Sequence, residues 1–220
     1  MTARPTRVAV ADDEPLVRAG VRAILASAPH IEVVAEASDG HEAIELVRLH
    51  QIDVLLLDIE MPRGDGIAVT EEIRRIGADV RVLVLTTFGT GENLHRCLAA
   101  GANGFLLKAT APAELIAGVD AVTDGGAVIA PRVAHHLVDS LRDISAHRHD
   151  PRVAALSARE TDVLRLLSQG RSNVEIAAAL HLTEGTVKGY VSGILQTLGV
   201  NNRVQAALIG YQAGLTREQT

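Results

Sequence analysis

Asp12, Asp13, Asp58, Thr86 and Lys108 share one property: each stands at or next to the carboxyl end of a short apolar run. Their types suit one chemistry. Three carboxylates gathered in one place repel and raise each other's pKa unless a cation neutralises them. A hard octahedral ion such as Mg2+, which keeps some waters and takes one or two carboxylates plus a phosphate oxygen, fits such a set. A carboxylate beside that ion can act as a nucleophile toward phosphorus and become an aspartyl phosphate. A lysine ammonium and a threonine hydroxyl would then supply the charge and the hydrogen bond that phosphoryl oxygens need. Lys108 stands out further, because the chain has only two lysines, Lys108 and Lys188, among 21 basic residues.

Those positions must be brought together by an element pattern, and the first 124 residues supply one. Apolar runs at Val8–Ala11, Ile31–Ala37, Val54–Leu57, Val82–Leu85 and Gly104–Leu107 alternate with helical patterns near 15–27, 41–50, 67–76, 92–100 and 112–123. This rhythm implies a parallel sheet with helices on both faces. In a doubly wound sheet the functional residues collect just beyond the strand carboxyl ends, so all five should face one crevice.

Asp124-Gly125-Gly126 is a turn signal that closes this first unit, residues 1–124. Residues 125–152 read as a linker with one helix near 131–143, and residues 153–220 as a second, all-helical domain. Ser157-Ala158-Arg159-Glu160 has the form of a capping box. Helical stretches follow it at 173–180, 184–198 and 203–213. Val187, Val191, Ile194 and Leu198 form one apolar stripe on the third helix, and Thr183 is its N-cap. A short helix, a turn at His181-Leu182 and a second helix with a small polar outer face describe a helix-turn-helix, whose second helix reads the major groove of double-stranded DNA.

Composition bounds the alternatives. The chain has 220 residues, 47% hydrophobic and 22% charged, with net charge −6, which excludes a disordered or collagen-like chain. The net charge argues against nucleic acid only until it is divided. Residues 1–150 hold 14 basic and 22 acidic side chains, net −8, and residues 151–220 hold 7 and 5, net +2. One cysteine, Cys97, excludes an internal disulfide and reads as a small buried apolar residue. The start MTARPTRVAVADDE has no apolar run of signal-peptide length and no segment approaches a membrane span, so a cytoplasmic protein is expected. Arg63-Gly64-Asp65 reads as a turn, and the histidines at 135, 136, 147 and 149 as part of a solvated linker rather than a metal site.

The acidic residues carry a resemblance. Asp12-Asp13, Leu57-Asp58 followed by Met61-Pro62 and Gly64-Asp65-Gly66, Leu85-Thr86-Thr87, and Gly101-Ala102-Asn103-Gly104-Phe105-Leu106-Leu107-Lys108 resemble the receiver domain of bacterial two-component response regulators. The resemblance implies a five-stranded parallel sheet of order 2-1-3-4-5. It makes Asp58 the phosphoacceptor, served by a sensor histidine kinase, with Thr86 and Lys108 as its partners. It implies Mg2+ held by Asp13, Asp58 and the backbone carbonyl of Glu60, with Asp12 an outer ligand through water. Thr86 and Phe105 take the switch positions. Ala109 departs from the proline that often follows the family's lysine.

The segment from Leu156 to Ile209 resembles the LuxR-type helix-turn-helix, which joined to a receiver indicates the NarL/FixJ-like subfamily. The DNA-facing candidates are Thr183, Thr186, Val187, Lys188, Tyr190, Ser192 and Gln196. Gly189 and Gly193 replace side chains that in this family commonly face DNA, so weak monomeric affinity and dependence on a homodimer formed on activation are expected. On the last helix Val204, Ala207, Leu208 and Tyr211 make one apolar stripe and Ala206, Ile209 and Ala213 a second, so that either one faces the core and the other is free to dimerise, or the alanines simply favour helix. The reading is a phosphorylation-switched regulator that binds promoter DNA and is not an enzyme. Its alternatives are a regulator whose receiver only dimerises and a Mg2+-dependent phosphatase, the latter left without a segment to enclose a substrate.

Overall fold

The structure is a computed structural model that describes residues 4–87, 91–129 and 150–216. The helix expected near 131–143 and the linker histidines lie outside the described residues.

Strands β1 (Thr6–Ala11), β2 (Ile31–Ala37), β3 (Val54–Asp58), β4 (Arg81–Thr86) and β5 (Gly104–Leu107) are parallel neighbours in the order β2-β1-β3-β4-β5. Helices α1 (Pro15–Leu25), α2 (Gly40–Leu49), α3 (Gly66–Arg75), α4 (Gly91–Ala100) and α5 (Pro112–Thr123) connect them. A sixth strand, β6 (Val128–Ile129), adds to the β5 edge, with Gly104 opposite Val128 and Phe105 opposite Ile129. Two residues are too short for a periodic signal, and this strand lies in what the sequence presents as linker.

The central strands are apolar throughout because successive side chains enter different layers. Ala9, Ala11, Leu55, Leu57, Val82, Val84 and Phe105 pack in one cluster with residues of α2, α3 and α4. Val8, Val10, Val54, Leu56, Leu83, Leu85 and Leu106 pack in the other with α1 and α5. Each fully buried aliphatic side chain contributes about 1.5–3 kcal/mol relative to exposure, so both faces fix the register that lines up the strand ends. Cys97 is fully buried in α4, and burial pushes its thiol up to about 12, as a small apolar residue requires.

The second domain begins with a single turn, α6 (Pro151–Ala154), which spans the expected boundary between residues 152 and 153, and Asp150 accepts from the Arg152 backbone N–H. Helices α7 (Ala158–Ser168), α8 (Asn173–Leu180), α9 (Glu184–Leu198) and α10 (Arg203–Gln212) follow. Their N-termini are closed by side chains: Ser157 with Glu160, Ser172 with Glu175, Thr183 on Thr186 and Asn202 on Gln205. His181 takes the left-handed conformation that ends α8 and turns the chain into α9. Val187, Ile194 and Leu198 are fully buried in the helical core, with Val191 packed partly against it. No helix among the described residues is long and apolar enough to cross a membrane.

Candidate functional site

Asp12, Asp13 and Asp58 each place a carboxylate oxygen within 4.8 Å of the others at the carboxyl end of the sheet. Asp12 and Asp58 are buried and Asp13 is exposed. From β5, Lys108 reaches across so that its Nζ lies 2.9 Å from Asp58 Oδ2, 2.9 Å from Asp12 Oδ2 and 3.0 Å from Glu14 Oε1. Burial acts against the ammonium, but the close carboxylates of Asp12, Asp58 and Glu14 outweigh it and hold Lys108 charged well above its ordinary range. Burial raises the Asp58 carboxyl, opposed by the Lys108 hydrogen bond and charge and by the Glu60 backbone N–H.

The contact between Lys108 and Asp12 is short but poorly directed. Asp12 Oδ2 is the one buried side-chain oxygen or nitrogen among the described residues that has no hydrogen-bond partner. Its other oxygen accepts from the Glu14 backbone N–H at 2.9 Å, and the Arg18 side chain donates to the Asp12 carbonyl at 2.6 Å. Glu14 and Arg18 were not singled out in the sequence, since a glutamate before a helix reads as ordinary capping chemistry.

Thr86 is buried at the end of β4, and its carbonyl accepts from the Lys108 backbone N–H at 2.8 Å. Glu60 follows Asp58 on an exposed loop. Gly66 sits so close that a Cβ there would lie 2.3 Å from the Asp58 carbonyl oxygen, so only glycine lets α3 start against the end of β3. Phe105 is buried, 1% exposed, in the same cluster as the strand layer beneath α4.

The helical domain's candidates divide. Thr183, Thr186, Lys188, Ser192 and Gln196 are exposed, and Tyr190 packs partly against the helical core. Val187 is fully buried and holds α9 in place instead of facing DNA, a correction that its position in the apolar stripe explains. Thr183 and Thr186 hydroxyls bond each other at 2.8 Å, and Lys188 pairs with Glu184 at 2.7 Å one turn earlier. A Cβ at Gly189 would meet nothing within 4 Å, but one at Gly193 would lie 3.2 Å from Glu160 Oε1. Only Gly189 therefore stands on an open face, and Gly193 turns toward the N-terminus of α7.

The two domains are docked on each other. Val204 of α10 is buried in the receiver-side cluster with Leu208 packed against it, whereas Ala206, Ala207 and Ile209 belong to the helical core. Of the two stripes on α10, the one left free by the helical core is covered, and Tyr211 remains 58% exposed. Asn202 Nδ2 donates to the Leu98 carbonyl at 3.1 Å, and Asn173 Nδ2 donates to the Asp124 carbonyl at 3.1 Å. Arg203 donates to the carbonyls of Gly125 and Arg171 and to Asn173 Oδ1. These contacts bring Lys188, Val191, Ser192 and Leu195 of α9 against a cleft whose other wall is the first domain. No local periodicity announces such contacts, since each joins residues far apart in the chain.

Residues 8–120 match the model of the response regulator receiver domain, and residues 154–209 that of the bacterial regulatory proteins of the luxR family. The chain is 38% identical to the transcriptional regulatory protein DegU of Brevibacillus brevis over 94% of both chains. It is also 38% identical to the nitrate/nitrite response regulator protein NarP of Escherichia coli over 96% of both. Among solved structures it is similar to the response regulator ChrA of a heme-sensing two-component system, with 39% identity, 97% and 100% coverage and a TM-score of 0.52. A structure of RcsB dimers bound to DNA is 28% identical, with 96% and 99% coverage and a TM-score of 0.57. With an aspartate-lined crevice at the sheet's carboxyl end, a helix-turn-helix behind it and relatives matched along nearly their whole length, the chain belongs to the two-component response regulators that regulate transcription through a LuxR-type helix-turn-helix.

Proposed function

We propose that Asp58 is the phosphoacceptor and that its phosphorylation frees α9 to read promoter DNA. One observation carries the reading: the structure joins a buried aspartate in reach of Lys108 to a closed arrangement in which Lys188 and Ser192 of α9 face the first domain. A duplex cannot enter that cleft, so DNA binding requires the domains to separate.

The donor is the phosphohistidine of a sensor histidine kinase. An Asp58 carboxylate oxygen attacks phosphorus, the P–N bond breaks with its electron pair going to the imidazole nitrogen, and that nitrogen takes a proton from water as histidine leaves. Lys108 contributes its ammonium to the phosphoryl oxygens, and Thr86, on the neighbouring strand, its hydroxyl. The residues present fit Mg2+: the donors are all oxygen, three of them carboxylates gathered within 4.8 Å, and Asp12 Oδ2 is a buried oxygen without a hydrogen-bond partner. Asp13, Asp58 and the Glu60 carbonyl would hold the ion, with Asp12 behind a water. Bound there, the ion would supply positive charge that offsets charge on the phosphoryl oxygens.

Moving a closed-to-open ratio from 99:1 to 1:99 requires about 5.5 kcal/mol, and two charge-assisted hydrogen bonds at about 1.5–3 kcal/mol each are of that size. Phe105 stands opposite Ile129 of β6, and in this reading it is the residue that responds to the change at the crevice. Separation also uncovers Val204 and Leu208, so α10 can meet a second copy, as a homodimer on paired half-sites requires. The protein works in the cytoplasm and turns over no substrate.

The test is incubation with acetyl phosphate and Mg2+, followed by intact mass and promoter-DNA affinity. One added phosphoryl group, lost in Asp58→Asn, together with tighter DNA binding supports the proposal. Phosphorylation without any change in DNA affinity would overturn the switch. Sustained phosphate release with no stable adduct would indicate a phosphatase.

A further inference from the structure

The interdomain cleft, about 380 Å3 in volume, is strongly basic. Arg74 and Arg81 line it from the first domain, and Lys188 and Arg203 from the second. Asp79 is the acidic side chain of the lining, and it is held by Arg81. Lys188 has Glu184 beside it.

Arg74 and Arg203 differ from these two pairs. Arg74 donates to the carbonyls of Val80 and Gly101 and to Asn103 Oδ1, at 2.9 to 3.3 Å. Arg203, 7% exposed, donates only to the neutral oxygens of Gly125, Arg171 and Asn173. Neither guanidinium has a carboxylate partner among the described residues. Neutral oxygens satisfy the N–H donors and leave the charge in place, and burial accordingly lowers both groups, Arg203 to about 10. A buried guanidinium, Arg203, and a partly buried one, Arg74, neither of them in an ion pair among the described residues, thus face one cavity from opposite domains.

We propose that this cleft binds a phosphate-bearing small molecule, which bridges the two domains and holds the closed form. The charge excess of the lining matches a dianion, and a phosphate group at neutral pH carries about −1.5 to −2. The volume lies near the lower end of small-ligand sites and is far too small for a duplex. Arginines suit planar, multidentate recognition of phosphate. Lys188 belongs to both surfaces, so the ligand and DNA exclude each other, and by linkage each weakens the other's binding by the same factor. The site opposes the Asp58 switch without sharing its residues.

The experiment is calorimetric titration of the full chain with inorganic phosphate, pyrophosphate and AMP, at ionic strength fixed with chloride. EDTA is present, so that no cation-bound phosphate can occupy the Asp58 crevice. Saturable one-site binding is expected, weakened about tenfold or more in Arg81→Ala and in Lys188→Ala, and tightened in Asp79→Asn. Arg48→Ala, which removes a positive charge outside the lining, should bind as the parent does. Preference for phosphate and pyrophosphate indicates an inorganic ligand, and preference for AMP an organic ester. Absence of saturable binding at millimolar concentration, or equal affinity in all four variants, overturns the proposal and leaves the phosphorylation reading untouched.

Discussion

The side-chain amide of Gln205 donates to the Leu98 carbonyl at 2.6 Å, across 107 residues of chain. Leu98 lies in the last turn of α4, where carbonyls lack partners within their own helix, and its oxygen accepts from the Gly101 backbone N–H at 3.0 Å as well as from Asn202 and Gln205. The helical domain therefore caps a receiver helix, and the cap lies beside Val204, which is 4% exposed.

Weakening this dock should activate the protein without phosphate. Val204→Ala removes two buried methyl groups and Gln205→Ala the interdomain hydrogen bonds to the Leu98 and Ala99 carbonyls, together about 2–3 kcal/mol. The closed-to-open equilibrium should shift by roughly 30- to 150-fold. The double variant, unphosphorylated, should bind promoter DNA more tightly and show a larger radius of gyration in solution scattering. Unchanged DNA affinity alongside domain separation would show that the dock does not control α9.

Lys108→Ala separates acceptance of phosphate from the response to it. The variant retains Asp12, Asp13 and Asp58, so it should still be labelled by acetyl phosphate in the presence of Mg2+. It lacks the ammonium that grips the phosphoryl group, and the gain in DNA affinity on labelling should vanish. A full response in the variant would assign Lys108 to neutralising the Asp12 and Asp58 carboxylates instead.

How much of this was legible depends on the range over which each feature is encoded. Asp58 at a strand end, the Ser157–Glu160 cap and the Val187 stripe are written within one element, and the structure places them as their spacing implies. Val187 was at once a stripe residue and a DNA candidate, and packing decides for the stripe. The role of Gly193 depends on Glu160, a neighbour on another helix, which helical-wheel reasoning does not see. The dock of α10 on α4 was invisible for the same reason: an apolar stripe shows that something covers it, and only the fold shows that the cover is the receiver. β6 failed on length alone.

Acid should weaken the helical domain through its caps. The Ser157 hydroxyl and backbone hold Glu160 below the ordinary 4.5, and the Ser172 backbone and hydroxyl do the same for Glu175. A carboxyl lowered by folding adds stability above its unfolded value and loses it as pH falls through the folded one. The domain's denaturation midpoint should therefore drop as pH falls below about 4.5, and less steeply in Glu160→Gln with Glu175→Gln, since glutamine keeps the cap without titrating. Both tyrosines, Tyr190 and Tyr211, lie in this domain and the chain has no tryptophan, so tyrosine fluorescence reports it alone. An equal slope in the double variant would place the acid sensitivity elsewhere.

Gly189 should be the cheaper of the two glycines on α9 to replace. A Cβ there meets nothing within 4 Å, and the backbone is helical, so Gly189→Ala should stabilise the helix by about 1 kcal/mol. At Gly193 the Glu160 carboxylate stands 3.2 Å away, so the same change must push that side chain and disturb the α7 cap, cancelling part of the gain. Tyrosine-monitored denaturation should rank Gly189→Ala above Gly193→Ala, with the parent lowest or level with the latter. If Gly189→Ala stabilises and also weakens DNA binding, the bare backbone at 189 is a close-approach surface for DNA. If it stabilises and leaves DNA affinity alone, the glycine reflects a missing contact, and weak monomeric binding follows from the absent side chain.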